Sequence, residues 1–152
     1  MKYLMVCLGN ICRSPLAEGI LKDKLKKIGS SSIVESRGFE TYHEDDVADK
    51  RARFIAKIYE VDLSSHRAKL FTTEDFDKFD KIFIMDRDNY KQISEFARND
   101  EDLNKVDYIM NELHPNENIE VPDPYYGEND GFLEVWNLLS NACEAIIQKY
   151  EI

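Results

Sequence analysis

The sequence predicts an α/β fold: a single doubly wound sheet of four parallel strands with helices on both faces. Three observations carry that reading. Short apolar or β-branched runs alternate with longer segments of helical periodicity. The first run passes through a tight loop straight into a helical segment, which places a loop at the carboxyl end of strand one. The chain closes on a long segment with one continuous apolar stripe.

Lys2 to Cys7, apolar from Tyr3 to Val6, reads as a buried first strand. Leu16 to Ile28 follows as a helix, with Leu16, Ala17, Ile20, Leu21, Leu25 and Ile28 on one face, the lysines of 22–27 solvated on the other, and Gly29 as the stop. Ser32 to Arg37 is a second strand ending at Gly38. The acidic residues Glu44, Asp45 and Asp46 cap a helix running to about Tyr59, whose apolar positions are Val47, the aliphatic stem of Arg51, Phe54, Ile55 and Ile58. Ser64 to Leu70 connects, and Thr73 is placed to cap a short helix around Glu74 to Lys78. Lys81 to Met85 is the third strand, ended by Asp86, and Asp88 to Phe96 a further helix. Asn99 to Asp102 reads as a solvated charged turn and Val106 to Met110 as the fourth strand. Asn111 to Asn129 has no periodicity and holds three of the four prolines, the kind of long loop that is often functional. The last helix carries Phe132, Val135, Trp136, Leu139, Ala142, Cys143, Ile146, Ile147 and Tyr150 on its stripe, with Trp136 and Cys143 as core.

Composition narrows the class. The chain of 152 residues suits one domain, 1–152, with 43% hydrophobic and 33% charged residues. No apolar run reaches the length of a membrane span, and Cys7, Asn10 and Arg13 break any signal-peptide pattern, so a cytoplasmic protein that does not engage membranes is expected. The three cysteines, Cys7, Cys12 and Cys143, make no disulfide framework and have no metal-ligand spacing with a histidine. A net charge of -10 argues against nucleic acid. The six glycines never form the Gly-x-Gly-x-x-Gly spacing of a dinucleotide fold.

The chemistry concentrates in Val6-Cys7-Leu8-Gly9-Asn10-Ile11-Cys12-Arg13-Ser14-Pro15. Cys7 and Arg13 bracket five residues, so they face one another across a bowl whose floor is the backbone amides of Leu8, Gly9, Asn10, Ile11, Cys12, Arg13 and Ser14. The helix N-terminus opens beneath it, with Pro15 in the first turn. A phosphate-sized anion is the natural occupant, which makes this a phosphate-binding loop. A lone cysteine at a strand end is ordinarily a small buried apolar group. Here a helix N-terminus, converging amides and a guanidinium all favour the thiolate, the nucleophilic form. The fork of Arg13 matches two phosphate oxygens at once, Ser14 can donate to the sulfur, and Gly9 and Asn10 suit left-handed backbone.

These residues resemble the signature loop of the low-molecular-weight protein tyrosine phosphatases, and Asp123-Pro124-Tyr125-Tyr126 is similar to that family's second motif. The resemblance covers nearly the whole chain. It implies hydrolysis of phosphotyrosine and small aryl phosphates through a phosphocysteine, with Cys7, Arg13 and Asp123 catalytic and Asp123 serving as acid and then base. It also implies Tyr125 and Tyr126 at the pocket mouth, with Tyr42 opposite and Leu8 completing an apolar sleeve deep enough to select phosphotyrosine. Ser36, His66 and Asp86 match positions that support the loop; capping of their own strands and loops is the alternative role. Expected partners are phosphotyrosine proteins or peptides, with inorganic phosphate as product and inhibitor; no cofactor or metal is implied, and a monomer is expected. His43 and His114 read as surface residues. Arg37, Phe39 and Lys69 depart from the family's commoner residues, which bears on the ring wall and peptide preference.

Two further expectations concern the loop's surroundings. Glu40, Glu44, Asp45, Asp46, Glu128 and Asp130 lie near the mouth and suggest substrates with basic flanks. Cys12, five residues from Cys7, is near enough for a disulfide once peroxide converts Cys7 to a sulfenic acid, a reversible protection the resemblance also implies. An arsenate reductase of the same fold shares the Cys-x5-Arg loop but relays oxidation to cysteines after strand three, where residues 80–100 have none. Arg13 and Asp123 argue against a phosphocysteine carrier or phosphate-binding module, because a carrier has no use for a leaving-group acid.

Overall fold

The computed structural model describes residues 1–127 and 129–151, with Asn129 described by its backbone alone. Four parallel strands, β1 (Lys2–Val6), β2 (Ile33–Arg37), β3 (Lys81–Ile84) and β4 (Val106–Tyr108), lie in the order β2-β1-β3-β4. Tyr3 pairs with Val34 on one side of β1 and with Lys81 on the other. Because successive side chains point to opposite faces, β1 feeds two cores. Tyr3 and Met5 join Phe83 beneath α1 (Arg13–Lys27), α2 (Lys50–Ile58) and α6 (Asn129–Tyr150). Leu4 and Val6 join Ile82 and Ile84 on the other face, against Phe76 of α3 (Asp75–Lys78) and Ile93 of α4 (Arg87–Ser94). Each such side chain fully removed from water contributes about 1.5–3 kcal/mol. No helix among the described residues is long and apolar enough to cross a membrane.

The C-terminal stripe is buried as expected, from Phe132 to Ile147 with Tyr150 partly covered, and Trp136 and Cys143 are core. Burial pushes the Cys143 thiol up to about 12, as suits an inert packing group. Gly29, at φ +69°, ends α1.

Several boundaries and faces differ from expectation. α1 begins at Arg13 rather than Leu16, because polar residues of the loop are themselves turned inward: Arg13 and Ser14 are buried. Ile28, at its far end, is half exposed. α2 begins at Lys50, capped by Asp49, whose carboxylate accepts from the Arg51 amide. Glu44, Asp45 and Asp46 instead follow a 3-10 turn, Thr41–His43. The buried face of α2 is Ala52, Ile55 and Ala56, whereas Val47, Phe54 and Ile58 are exposed. Asn99 to Asp102 opens a short helix, α5 (Asp100–Asn104), rather than a turn. The Asn99 carboxamide accepts from the Asp102 amide, and the buried Asp102 carboxylate receives Arg98 at 2.9 Å. Arg37 is buried between Glu35, Asp75 and the Phe79 ring, and Phe39 packs on Phe71 and Phe96, so neither forms a ring wall.

Candidate active site

The loop from Cys7 to Cys12 leaves β1, which lies between β2 and β3. Its carbonyls are tied outward. Leu8 O accepts from the amides of Phe39 and Glu40 at 2.7 and 3.2 Å, Ile11 O from Asp49 at 2.8 Å, and Cys12 O from Leu16 at 3.2 Å. Asn10 O lies 2.7 Å from His66 Nε2. Among the described residues, no main-chain group accepts from the amides of Leu8 to Arg13 outside regular helix and strand pairing. Buried amides without acceptors are costly, so a loop built this way is an anion receptor.

A polar relay fixes that shape. Asn10 takes left-handed backbone at φ 56°. Its Oδ1 accepts from the Lys69 amide at 2.9 Å, and its Nδ2 donates to Ser14 Oγ at 2.7 Å and to Ser36 Oγ at 2.9 Å. Ser36 in turn donates to Glu18 Oε1 at 2.6 Å. Because Ser14 Oγ accepts from Asn10, its own hydrogen is free for Cys7 Sγ, 3.0 Å away, and the Ser14 amide also faces that sulfur at 3.4 Å. Gly38 admits the loop: a Cβ there would meet the Cβ and amide nitrogen of Asn10 at 2.8 Å. Gly9 does not take left-handed backbone; a Cβ on it would lie 3.1 Å from His43 Cδ2, so its value is room for that ring.

Arg13 is buried with its fork oriented. Nη1 donates to Asp86 Oδ2 at 2.6 Å and to Val121 O at 3.0 Å, leaving Nη2 3.5 Å from Asp123 Oδ2. Burial opposes the Arg13 charge, but the Cys7 sulfur, Asp86 and Asp123 outweigh it and hold the guanidinium above its ordinary range. Asp123 caps a 3-10 turn, Pro124–Tyr126, its Oδ1 accepting from the Tyr125 amide at 3.0 Å. Arg51 staples that turn to α2 by donating to Tyr125 O at 2.9 Å and Gly127 O at 3.1 Å. Asp49 braces Arg51, and although burial works against the Asp49 carboxylate, these bonds keep it below the usual range.

These parts enclose a cavity of about 160 Å³ with Cys7, Leu8, Arg13 and Asp123 inside and Tyr42, Tyr125 and Tyr126 around it. The family model described as low molecular weight phosphotyrosine protein phosphatase matches residues 2–151. The chain belongs to that family.

A putative low molecular weight protein-tyrosine-phosphatase of Synechocystis is 41% identical over 147 residues, covering 94% of this chain and 92% of the relative. Among solved structures, a protein tyrosine phosphatase of Entamoeba histolytica with Hepes in its active site is similar with a TM-score of 0.91 at 38% identity, covering 99% of this chain and 97% of that one. A structure named Drosophila arginine phosphatase is similar at a TM-score of 0.92 and 28% identity, covering 100% and 99%.

In this phosphatase-family chain the cavity gathers every residue expected for the catalytic and ring-pocket sets. Ser36, His66 and Asp86 each contact Asn10 or Arg13 directly. His43, expected at the surface, instead lines the cavity: its ring stands edge-on between Tyr42 and Tyr125, with Nδ1 2.9 Å from Asp46. His114 is half exposed, as expected. Glu18 and Arg51 were not expected at the site. Glu18 lies four residues after Ser14, one helical turn along the same face, which is the sequence signal for its reach to Ser36.

Proposed function

We propose that the chain hydrolyses phosphotyrosine and small aryl phosphates in two steps through a phosphocysteine. Supporting this most directly is the loop whose Leu8, Asn10, Ile11 and Cys12 carbonyls are engaged outward, leaving its amides and Arg13 around the Cys7 sulfur. Phosphate oxygens take the amides and the Arg13 fork, and Cys7 attacks in line as the phenolate departs. An arriving phosphate competes with Asp123 for Arg13 Nη2. Released from that ion pair, Asp123 takes up the proton that the phosphate monoester monoanion brings with it, passes it to the leaving phenolate oxygen, and in the second step takes a proton from the attacking water. Ser14 donates to the sulfur when it becomes the leaving group. Tyr42, Tyr125, Tyr126 and Leu8 form the sleeve around the ring, and neither step calls for a metal or cofactor.

The experiment is phosphate release from aryl phosphates with a chelator present, beside Asp123→Asn. That variant is expected to lose about 10²- to 10⁴-fold in kcat on phenyl phosphate and much less on nitrophenyl phosphate, whose leaving group needs no proton. An equal loss on both substrates removes Asp123 as the acid. Phosphoarginine is the control substrate, because the aromatic walls favour an aryl group. A single burst of phenol without turnover would instead indicate a phosphate carrier.

The carboxylates on the Tyr42 side, Glu40 in the cavity wall and Glu44, Asp45 and Asp46 beyond it, support a preference for a basic residue on that flank. Glu128 lies outside the described residues, and Asp130 lines a groove beside α2 rather than the cavity, so it adds nothing to this flank. At low salt, arginine on the flank that passes Tyr42 is expected to give a several-fold lower KM than glutamate at the same positions, and equal values there would remove the preference.

Cys12 is the resolving thiol in this reading: it displaces water from a Cys7 sulfenic acid, forming the disulfide. Burial, with Asp49 and Cys7 adding to it, pushes the Cys12 thiol well up, which slows that attack at neutral pH. Peroxide followed by thiol mapping is expected to yield a Cys7–Cys12 link faster as pH rises. Sulfinic Cys7 without the link would rule it out.

A further inference from the structure

The exposed face of α2 is divided lengthwise. Around the helix, Arg53, Lys57 and Lys50 occupy one half of the solvent side, and Phe54 and Ile58 the other. Phe54 is 67% and Ile58 58% exposed, although both recur at helical spacing. The segment 50–58 carries four cations and no acid in a chain of net charge -10. Among the described residues, Lys50, Arg53 and Lys57 make no ion pair within 4 Å, although Arg53 and Lys57 share a depression with Glu60 and Asp62 and Arg53 Nε donates to Ala48 O at 3.0 Å. Phe54 faces Leu133 of α6 across a groove whose walls include Lys50, Asp130 and the buried Phe132.

One side chain lies between the groove and the cavity. Arg51 lines the groove, lies 4.7 Å over the Phe132 ring, and donates to the carbonyl of Tyr125, the cavity's aromatic wall, whose ring it approaches at 5.7 Å. A chain leaving the cavity over Tyr125 therefore meets an apolar trough and then cations. The opposite rim, beyond Tyr42, is acidic.

From this arrangement we propose that the α2 groove holds one flank of the phosphotyrosine substrate, a flank carrying a bulky apolar residue beside carboxylates. The apolar side chain fills the trough between Phe54 and Leu133, and a carboxylate meets Lys50 in the groove wall, with Arg53 and Lys57 on the adjoining strip of α2. Net repulsion by the chain makes such a local cationic face selective. The proposal rests on the phosphotyrosine reading and names its substrate class.

The test is a series of phosphotyrosine peptides in which a Glu-Leu-Glu cluster steps outward, one residue at a time, on either side of an otherwise alanine chain. At one position KM is expected to fall about tenfold against the all-alanine peptide with kcat unchanged, the gain expected from burying one leucine. Phe54→Ser or Leu133→Ser removes the gain while nitrophenyl phosphate turnover stays the same, and Lys50→Glu reduces it. The proposal is overturned if no position lowers KM, or if the gain survives Phe54→Ser. It is equally overturned if Phe54→Ser abolishes a concentration-dependent dimer or binding to phosphatidylserine vesicles instead. Wild-type protein that turns over nitrophenyl phosphate without a flank effect sinks this proposal alone. Protein inactive on every phosphate ester sinks the catalytic reading with it.

Discussion

Cys7→Ser is expected to lower turnover of an aryl phosphate by roughly 10⁵- to 10⁶-fold, the order seen when a covalent enzyme loses its nucleophile. The substitution is small, and its surroundings accept it: the new hydroxyl faces Ser14 Oγ, 3.0 Å from the present sulfur, so it is not left unpartnered. The amides of Leu8 to Arg13 and the Arg13 fork are untouched, so the phosphate receptor remains. The expected result is thus a split, with rate lost and binding kept. Calorimetric titration with inorganic phosphate, beside the thermal midpoint of the variant, separates this from unfolding. A variant that folds, binds phosphate and still turns over within a hundredfold of the wild type would falsify the phosphocysteine route.

The split also explains what could be read along the chain. A receptor made of consecutive residues is written in consecutive letters, so Cys7 to Ser14 could be assigned to an anion site from spacing and helix-terminus physics. Asp123 could not. It reaches Arg13 through a loop without periodicity, and only the resemblance of Asp-Pro-Tyr-Tyr to a known motif singled it out. Glu18 and Arg51 were missed because their partners, Ser36 and the Tyr125 carbonyl, belong to other elements. α2 shows the same limit from the opposite side. Phe54 and Ile58 have the period of a buried face, but two alanines and Ile55 occupy the interior, since close packing of α2 against α6 favours small side chains there. Asn99 to Asp102 has capping chemistry that charge alone concealed: an Asn N-cap and three acids in a first turn make a helix start.

Arg13→Lys is expected to cost on the order of 10³- to 10⁵-fold in kcat, the range for an arginine that stabilises charge on a transferring phosphoryl group. The size follows from how the side chain is held. Nη1 is fully occupied by Asp86 at 2.6 Å and Val121 O at 3.0 Å, and that anchoring is what aims the remaining edge of the guanidinium into the cavity. A lysine has one nitrogen for both tasks. Drawn to Asp86 it leaves the phosphate, and drawn to the phosphate it leaves Asp86 Oδ2 without its cation in a mostly buried setting, with only the Asn89 amide on Oδ1. Asp86→Asn tests the anchoring separately: with its amide oxygen turned to Nη1 the Arg13 contact is kept without its charge, while the amide nitrogen replaces the Oδ1 that accepts from the Asn89 amide, so the cap of α4 is weakened and the thermal midpoint is measured beside the rate. The variant is therefore expected to fall between wild type and Arg13→Lys in kcat, with KM for an aryl phosphate shifted less than kcat. If Arg13→Lys keeps its fold by circular dichroism and remains within tenfold of wild type, the fork is not meeting transition-state charge. The amides of the loop would then have to carry that charge alone.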